Sequence, residues 1–284
     1  MSQVDFSQLA PNLVWKHFQT LCTIPRPSKK EQKLRDHLQA WAKQLGLETY
    51  VDQVGNLMIR KAASQGKEHV TGVVLQGHLD MVTQANSGTI HNFEQDPIRP
   101  ILEDGWLVAK DTTLGADNGI GVALALAVLE SDDISHGPIE VLLTVDEEAG
   151  MSGARLLESG ILKSKWLFNI DTEEWGELYL GCAGSQDVEV HQKLSYIAAP
   201  RSGLKTVEIS VTGLKGGHSG VDIHLGRGNA NVILSKFLHQ YLFELEAYLV
   251  EFSGGSARNA IPREATALIL IDESRIETVS YTHL

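Results

Sequence analysis

Three short apolar runs each finish in acids, and that repetition constrains the fold more than any other feature of the chain. "VVLQGHLD" (73–80) delivers His78 and Asp80, and "IEVLLTVDEEAG" (139–150) delivers Asp146, Glu147 and Glu148. "WLFNIDTEE" (166–174) delivers Asp171, followed by Glu173 and Glu174. Short apolar runs without polar alternation read as strands buried on both faces. Residues 120–130, between the first two, read as a small-residue helix. Strands of this kind alternating with helices imply an α/β fold with a mostly parallel sheet flanked by helices. In open sheets of that class, ligand sites lie at the carboxyl ends of the strands. Three such ends here carry acids.

The remaining elements follow from periodicity and punctuation. Residues 9–23 read as a helix ended by "IPRPS", and 28–45 as a second helix. "SKKE" would open the second as a capping box, with Ser28 at N-cap and Glu31 at N3. Residues 49–52 and 57–60 flank "QVGN", a hairpin signal. Strands are expected at 70–75, 139–145 and 166–170, and a helix at 153–159. After "GCAGS" (181–185) the pattern changes: 187–194 and 206–212 alternate, 231–249 reads as an amphipathic helix, and 264–271 as another strand. A second, α+β domain is therefore expected to start near Ser185, giving domains at 1–184 and 185–272, with a separate tail at 273–284.

With 284 residues and 43% hydrophobic content the chain can bury a sizeable core or two. A net charge of −12 without a Lys/Arg cluster argues against nucleic acid or an anionic membrane as partner. Cys22 and Cys182 are the only cysteines, which excludes a disulfide framework and a thiolate metal site and points to the reducing cytoplasm. The N-terminus lacks the basic start and apolar run of a signal peptide.

A fourth acid joins the strand-end set. In "TTLGADNGIG" (112–121), Asp117 sits in a glycine-flanked turn before the helix. Converging carboxylates raise one another's pKa unless a cation neutralises them. One histidine with several carboxylates suits Zn²⁺, Mn²⁺ or Co²⁺, and more than three carboxylates point to two ions sharing a bridge. Asp117, held centrally by its turn, is the natural bridge. Asp80, two residues from His78 on the same face of a strand, would orient that histidine. Of the adjacent Glu147 and Glu148, one can bind metal while the other serves as general base. The glycine spacing of "GADNGIG" misses the dinucleotide-binding pattern.

Six stretches, "GHLDMV", "TTLGADNGIG", "LLTVDEEAGMSGA", "NIDTEEWGELYLGCAG", "GLKGGHSG" and "RNAIPREA", resemble the aminoacyl-histidine dipeptidases of bacteria. These are carnosinase-like members of the co-catalytic dizinc peptidases. The resemblance runs from about residue 9 to 271. It implies metal-dependent hydrolysis of dipeptides, Xaa-His included, by a water that two divalent ions activate, most simply Zn²⁺. His78 and Asp171 would hold one metal, Glu148 the other, and Asp117 both. Glu147 would be the general base, with Asp80 steering His78. The second domain would be a lid and homodimerisation domain, where His218 and Asn259 would bind the substrate carbonyl.

The resemblance also implies a longer protein, in which the lid is completed downstream and a late histidine completes the second metal site. The tail at 273–284, with "ETVSYTHL", carries no family pattern, so His283 is a poor substitute and the chain as it stands is expected to be inactive. The close rival is an N-acyl-amino-acid amidohydrolase using the same metals. The distant one is a non-catalytic metal-binding module.

Overall fold

The computed structural model describes residues 4–276 apart from Ala183, Ser185, Asp187, Pro200 and Arg201. The chain forms two compact units, Met1–Gly184 and Ser185–Leu284. The proposed tail beyond Ile276, His283 included, lies outside the described residues.

The first unit begins with helices α1 (Asn12–Thr23) and α2 (Gln32–Gln44). The apolar residues of α1 recur at helical spacing, and Val14, Phe18, Leu21 and Cys22 are buried along one stripe. Pro25 follows the helix, and Ile24 before it is extended, as the residue preceding a proline prefers. The hairpin forms as expected from β1 (Glu48–Val51) and β2 (Leu57–Lys61), paired Glu48 to Arg60 and Val51 to Leu57. Its turn is held by Asp52, whose Oδ1 accepts from the amides of Val54, Gly55 and Asn56.

β3 (Val73–His78) is followed by a small hairpin of β4 (Pro100–Glu103) and β5 (Trp106–Ala109), then helix α3 (Ala116–Glu130). Next come β6 (Ile139–Thr144), the short helix α4 (Ser152–Arg155) and β7 (Trp166–Asn169). The main sheet has the order β1-β2-β6-β3-β7. β6, β3 and β7 run parallel, and the hairpin adds two antiparallel pairings, so the sheet is mixed. β6 lies at its centre, buried along its whole length. α3 is apolar nearly all round, and Val122, Ala123, Ala125, Leu126 and Leu129 are all buried. Its small residues let it pack closely on α1 and β3.

Several expectations are corrected. Ser28 and Glu31 form no capping box: α2 starts at Gln32, and both side chains turn instead toward the loops of the sheet. α4 is a single turn rather than a helix over 153–159. β7 is not buried: Trp166 is 64% and Leu167 and Phe168 are each 48% exposed, because the strand is an edge with β3 as its one partner among the described residues.

In the second unit, β8 (Leu204–Val211), helix α5 (Ala230–Tyr241), β9 (Tyr248–Gly254) and β10 (Ala265–Asp272) form an antiparallel sheet of order β8-β10-β9 under one helix. β10 alternates strictly, and Ala265, Ala267, Ile269 and Ile271 pack with Ala230, Leu234, Phe237 and Leu238 of α5. Residues 188–194 form no strand, and Val188 and Val190 are exposed; Asp187 lies outside the described residues. The helix expected over 231–249 ends at Tyr241. Glu246 adopts φ 47°, and the β-prone "YLVEF" that follows pairs with β10 instead.

Candidate metal centre

Because β6, β3 and β7 are parallel, their carboxyl ends meet on one edge of the sheet. His78 is the last residue of β3 and is 1% exposed. The chain after β6 turns sharply at Asp146, which takes φ 56°, so that Glu147 and Glu148 fold back over the strand ends. Asp171 follows β7. Asp117 comes from the start of α3, where Gly115 supplies the left-handed N-cap (φ 72°) and Asp117 and Asn118 depart from helical angles.

The four loops bring the expected residues together. His78 Nε2 lies 2.9 Å from Asp117 Oδ1, 3.7 Å from Asp171 Oδ2 and 3.9 Å from Glu147 Oε2. One donor atom each from His78, Asp117 and Glu148 falls within 4.8 Å of the others. Donor atoms this close together lie within reach of divalent ions held about 2 Å from each. Glu173 and Glu174 are exposed on the following loop.

The electrostatics fit a cation. Burial, and then the charge of Asp117, pushes Glu148 up to about 7. Burial also drives Asp171 up to about 7, the charge of Asp117 adding to it against the opposing pull of His78. For His78, burial resists protonation, but the hydrogen bond with Asp117, the carboxylate of Asp80 beside the ring and the charge of Asp171 push it up to about 10. In the metal-free protein the imidazolium is thus the local counter-charge, a place that a divalent ion bound to the neutral ring would take.

Asp80 is fully buried at the back of the cluster. Its Oδ1 accepts from the Glu147 amide (3.0 Å) and lies 3.2 Å from His78 Nδ1, outside the geometry of a tight hydrogen bond. Its Oδ2 accepts from Ser28 Oγ (2.7 Å) and from the Glu148 amide (3.1 Å). One carboxylate therefore faces the histidine and pins the loop bearing both glutamates. Burial alone would raise its pKa, but His78 and Ser28 hold it below the usual carboxylate range.

Sequence reasoning misses the supports behind this set. Arg26, 2% exposed, and Asn118, whose Nδ2 donates to the Ile170 carbonyl at 2.8 Å, carry no spacing signal at all. Asn56 Nδ2 donates to the Gly153 carbonyl and its Oδ1 accepts from the Val145 amide, tying the hairpin to the loop after β6.

In the second unit, His218 and Asn259 also come together. The Ser219 amide donates to the Asn259 carbonyl (2.8 Å), and His218 bridges to Ala260. His218 is exposed, and its Nδ1 accepts from the amides of Gly220 (3.0 Å) and Val221 (3.1 Å).

Comparison with known proteins finds peptidases. Residues 209–281 match the peptidase dimerisation domain of the M20 family, a match that reaches into the segment 273–284. The chain is 48% identical over 275 residues to the cytosol non-specific dipeptidase of Escherichia coli K12, covering 97% of this chain and 56% of that one. The crystal structure of aminoacylhistidine dipeptidase from Vibrio alginolyticus is similar with a TM-score of 0.63 at 47% identity, over 98% of this chain and 56% of that one. Peptidase T of Citrobacter koseri is 44% identical over 70 residues, 24% of this chain and 17% of its own length. The chain thus spans about half the length of the first two relatives. These likenesses converge on one finding: residues 209–281 match the M20 peptidase dimerisation domain, and the chain is similar along nearly all of its length to the cytosol non-specific dipeptidase.

Proposed function

We propose that the whole protein hydrolyses dipeptides, Xaa-His dipeptides among them, at a centre of two divalent metal ions. The observation that carries this reading is the convergence of His78, Asp117, Glu148 and Asp171 at parallel strand ends, with Glu147 beside them. His78 and Asp171 would hold one ion, Glu148 the other, and Asp117 both. Zn²⁺ suits this donor set, and Co²⁺ or Mn²⁺ would substitute. When bound, such ions polarise a carbonyl and lower the pKa of water.

The residues of the chain supply the remainder. Glu147, its side chain one-third exposed, takes the proton of the attacking water and returns it to the leaving amine. Asp80 keeps the His78 ring oriented and fixes the Glu147 backbone. In the second unit, the two amides donating to His218 Nδ1 leave the proton of a neutral ring on Nε2, where it can donate to a substrate carbonyl oxygen. Asn259 would bind the same group. The second unit would also join two copies into a homodimer, as the dimerisation-domain match supports. A cytoplasmic location accords with the paucity of cysteine, and no described helix is long and apolar enough to cross a membrane.

The test is a panel assay of the full-length protein loaded with Zn²⁺ or Co²⁺, comparing free dipeptides with N-acetyl amino acids. Turnover of Xaa-His is expected. Turnover of N-acetyl substrates alone would assign an amidohydrolase, and bound metal without any turnover would assign a non-catalytic module.

A further inference from the structure

The metal-centre chemistry makes no use of the segment 26–31, between α1 and α2, although that segment touches three of the loops that build the site. Arg26 Nη1 donates to the carbonyls of Leu79 (2.9 Å) and Asp80 (2.8 Å), and its Nη2 donates to the carbonyl of Gly115, at the turn presenting Asp117. Pro27 pairs with Met81 in a parallel bridge. Ser28 Oγ donates to Asp80 Oδ2 at 2.7 Å. Glu31 Oε1 accepts from the amide of Asp146 at 2.8 Å, at the sharp turn after β6.

We propose that Ser28 is a positioning residue of the metal centre, acting through Asp80 on both the His78 ring and the loop that carries Glu147 and Glu148. The proposal rests on the reading of this cluster as a metal site. A carboxylate offers about four acceptor positions, and Asp80 faces four groups: Ser28 Oγ and the amides of Glu147 and Glu148, which donate to it, and His78 Nδ1 at 3.2 Å. Three of the four belong to the parts being organised. Ser28 alone comes from outside them, on a segment that Arg26 anchors to two loops. Its hydroxyl therefore sets the rotation of the carboxylate, and that rotation places the ring and both amides together. Without it a fully buried carboxylate loses a donor, and the groups it aligns lose their common reference. Partners behind a ligating histidine typically change metal affinity about 10–100-fold.

The experiment is titration of the chain with Co²⁺, read by calorimetry and by the visible absorption band that reports ligand geometry, for wild type, Ser28→Ala, Ser28→Thr and Asp117→Ala. Ser28→Ala is expected to bind about 10-fold more weakly with an altered band, and Ser28→Thr to restore both. The metal-free Tm of Ser28→Ala should stay within about 3 °C of wild type. Affinity and band unchanged in Ser28→Ala would overturn the proposal, as would a loss that Thr does not restore. A metal-free Tm lowered by about 8 °C or more would make the role merely structural and overturn it too. If Asp117→Ala abolishes Co²⁺ binding while Ser28→Ala keeps it, the metal reading stands and only the Ser28 role fails. Wild type that takes up no Co²⁺ would sink both.

Discussion

Asp80 and Glu147 are acids beside the same histidine, yet their surroundings give them different work. Asp80 is fully buried among donors that hold its pKa down, which suits the orienting role proposed for it; Glu147 keeps a third of its side chain open, which suits the proposed exchange of a proton with water. Glu147→Gln preserves size and hydrogen bonding but accepts no proton. Turnover of the full-length enzyme should fall about 10²–10⁴-fold with metal content intact, as elemental analysis would check. Retention within a few-fold would move the base elsewhere. Asp117→Ala should strip both ions and Glu148→Ala mainly one; two tightly held ions in Asp117→Ala would refute the bridge. Away from the site, Glu140 is buried on β6, ion-paired to Arg60 at 3.0 Å and accepting the amides of Lys163 and Ser164. Burial alone would raise its pKa, but these donors hold it below the ordinary value of 4.5. The sign follows: its contribution is present above pH 4.5 and is lost as pH falls through the lower folded value. Glu140→Gln should cost about 1–3 kcal/mol at pH 7 and less as the pH drops below that range, measured by urea unfolding. An equal cost at both ends would contradict the charge argument.

At the scale of elements, the site depends on how closely β3 approaches the start of α3. Gly77 makes that approach possible: a Cβ there would lie 2.2 Å from Asn118 Oδ1. Asn118 is buried, bonded to the Ile170 carbonyl, and adjacent to Asp117, so its displacement moves two ligand loops at once. Gly77→Ala should therefore destabilise by about 1–3 kcal/mol and weaken metal binding as well. Wild-type Tm and affinity in that variant would show that the contact yields freely. The elements differ in how legible they were. The hairpin, β6 and the acids at the strand ends could be read, because buried strands and tight turns have local signatures. "SKKE" misled, since the same residues that make a capping box can also reach an acid distant in sequence. The helix at 231–249 was read too long, because an apolar run such as "YLVEF" suits either period until a partner strand decides it.

At the scale of the whole molecule, β9 is an edge strand with Leu249 48% and Val250 41% exposed, an open row of backbone donors and acceptors able to pair with another chain. If the second unit joins two copies, light scattering should give about twice the 31.1 kDa of one chain, and Val250→Lys should shift the mass toward one. A single-chain mass at every concentration would remove the dimer from the proposed function.

The sequence by itself pointed to the acids that gather around His78 at the strand ends, Asp117, Glu147, Glu148 and Asp171. Apolar runs must end where the sheet ends, and charges placed there have to converge. It also separated the two units, because the pattern of buried runs gives way to alternation after "GCAGS". Only the tertiary structure decided what holds the cluster in shape: Arg26 on the carbonyls of Leu79, Asp80 and Gly115, Ser28 on Asp80, and Asn118 on Ile170. These bonds join residues 50 or more positions apart, and several end on backbone carbonyls, which every residue carries alike. Spacing cannot encode a partner that any sequence would supply, so such contacts exist only once the strands are side by side.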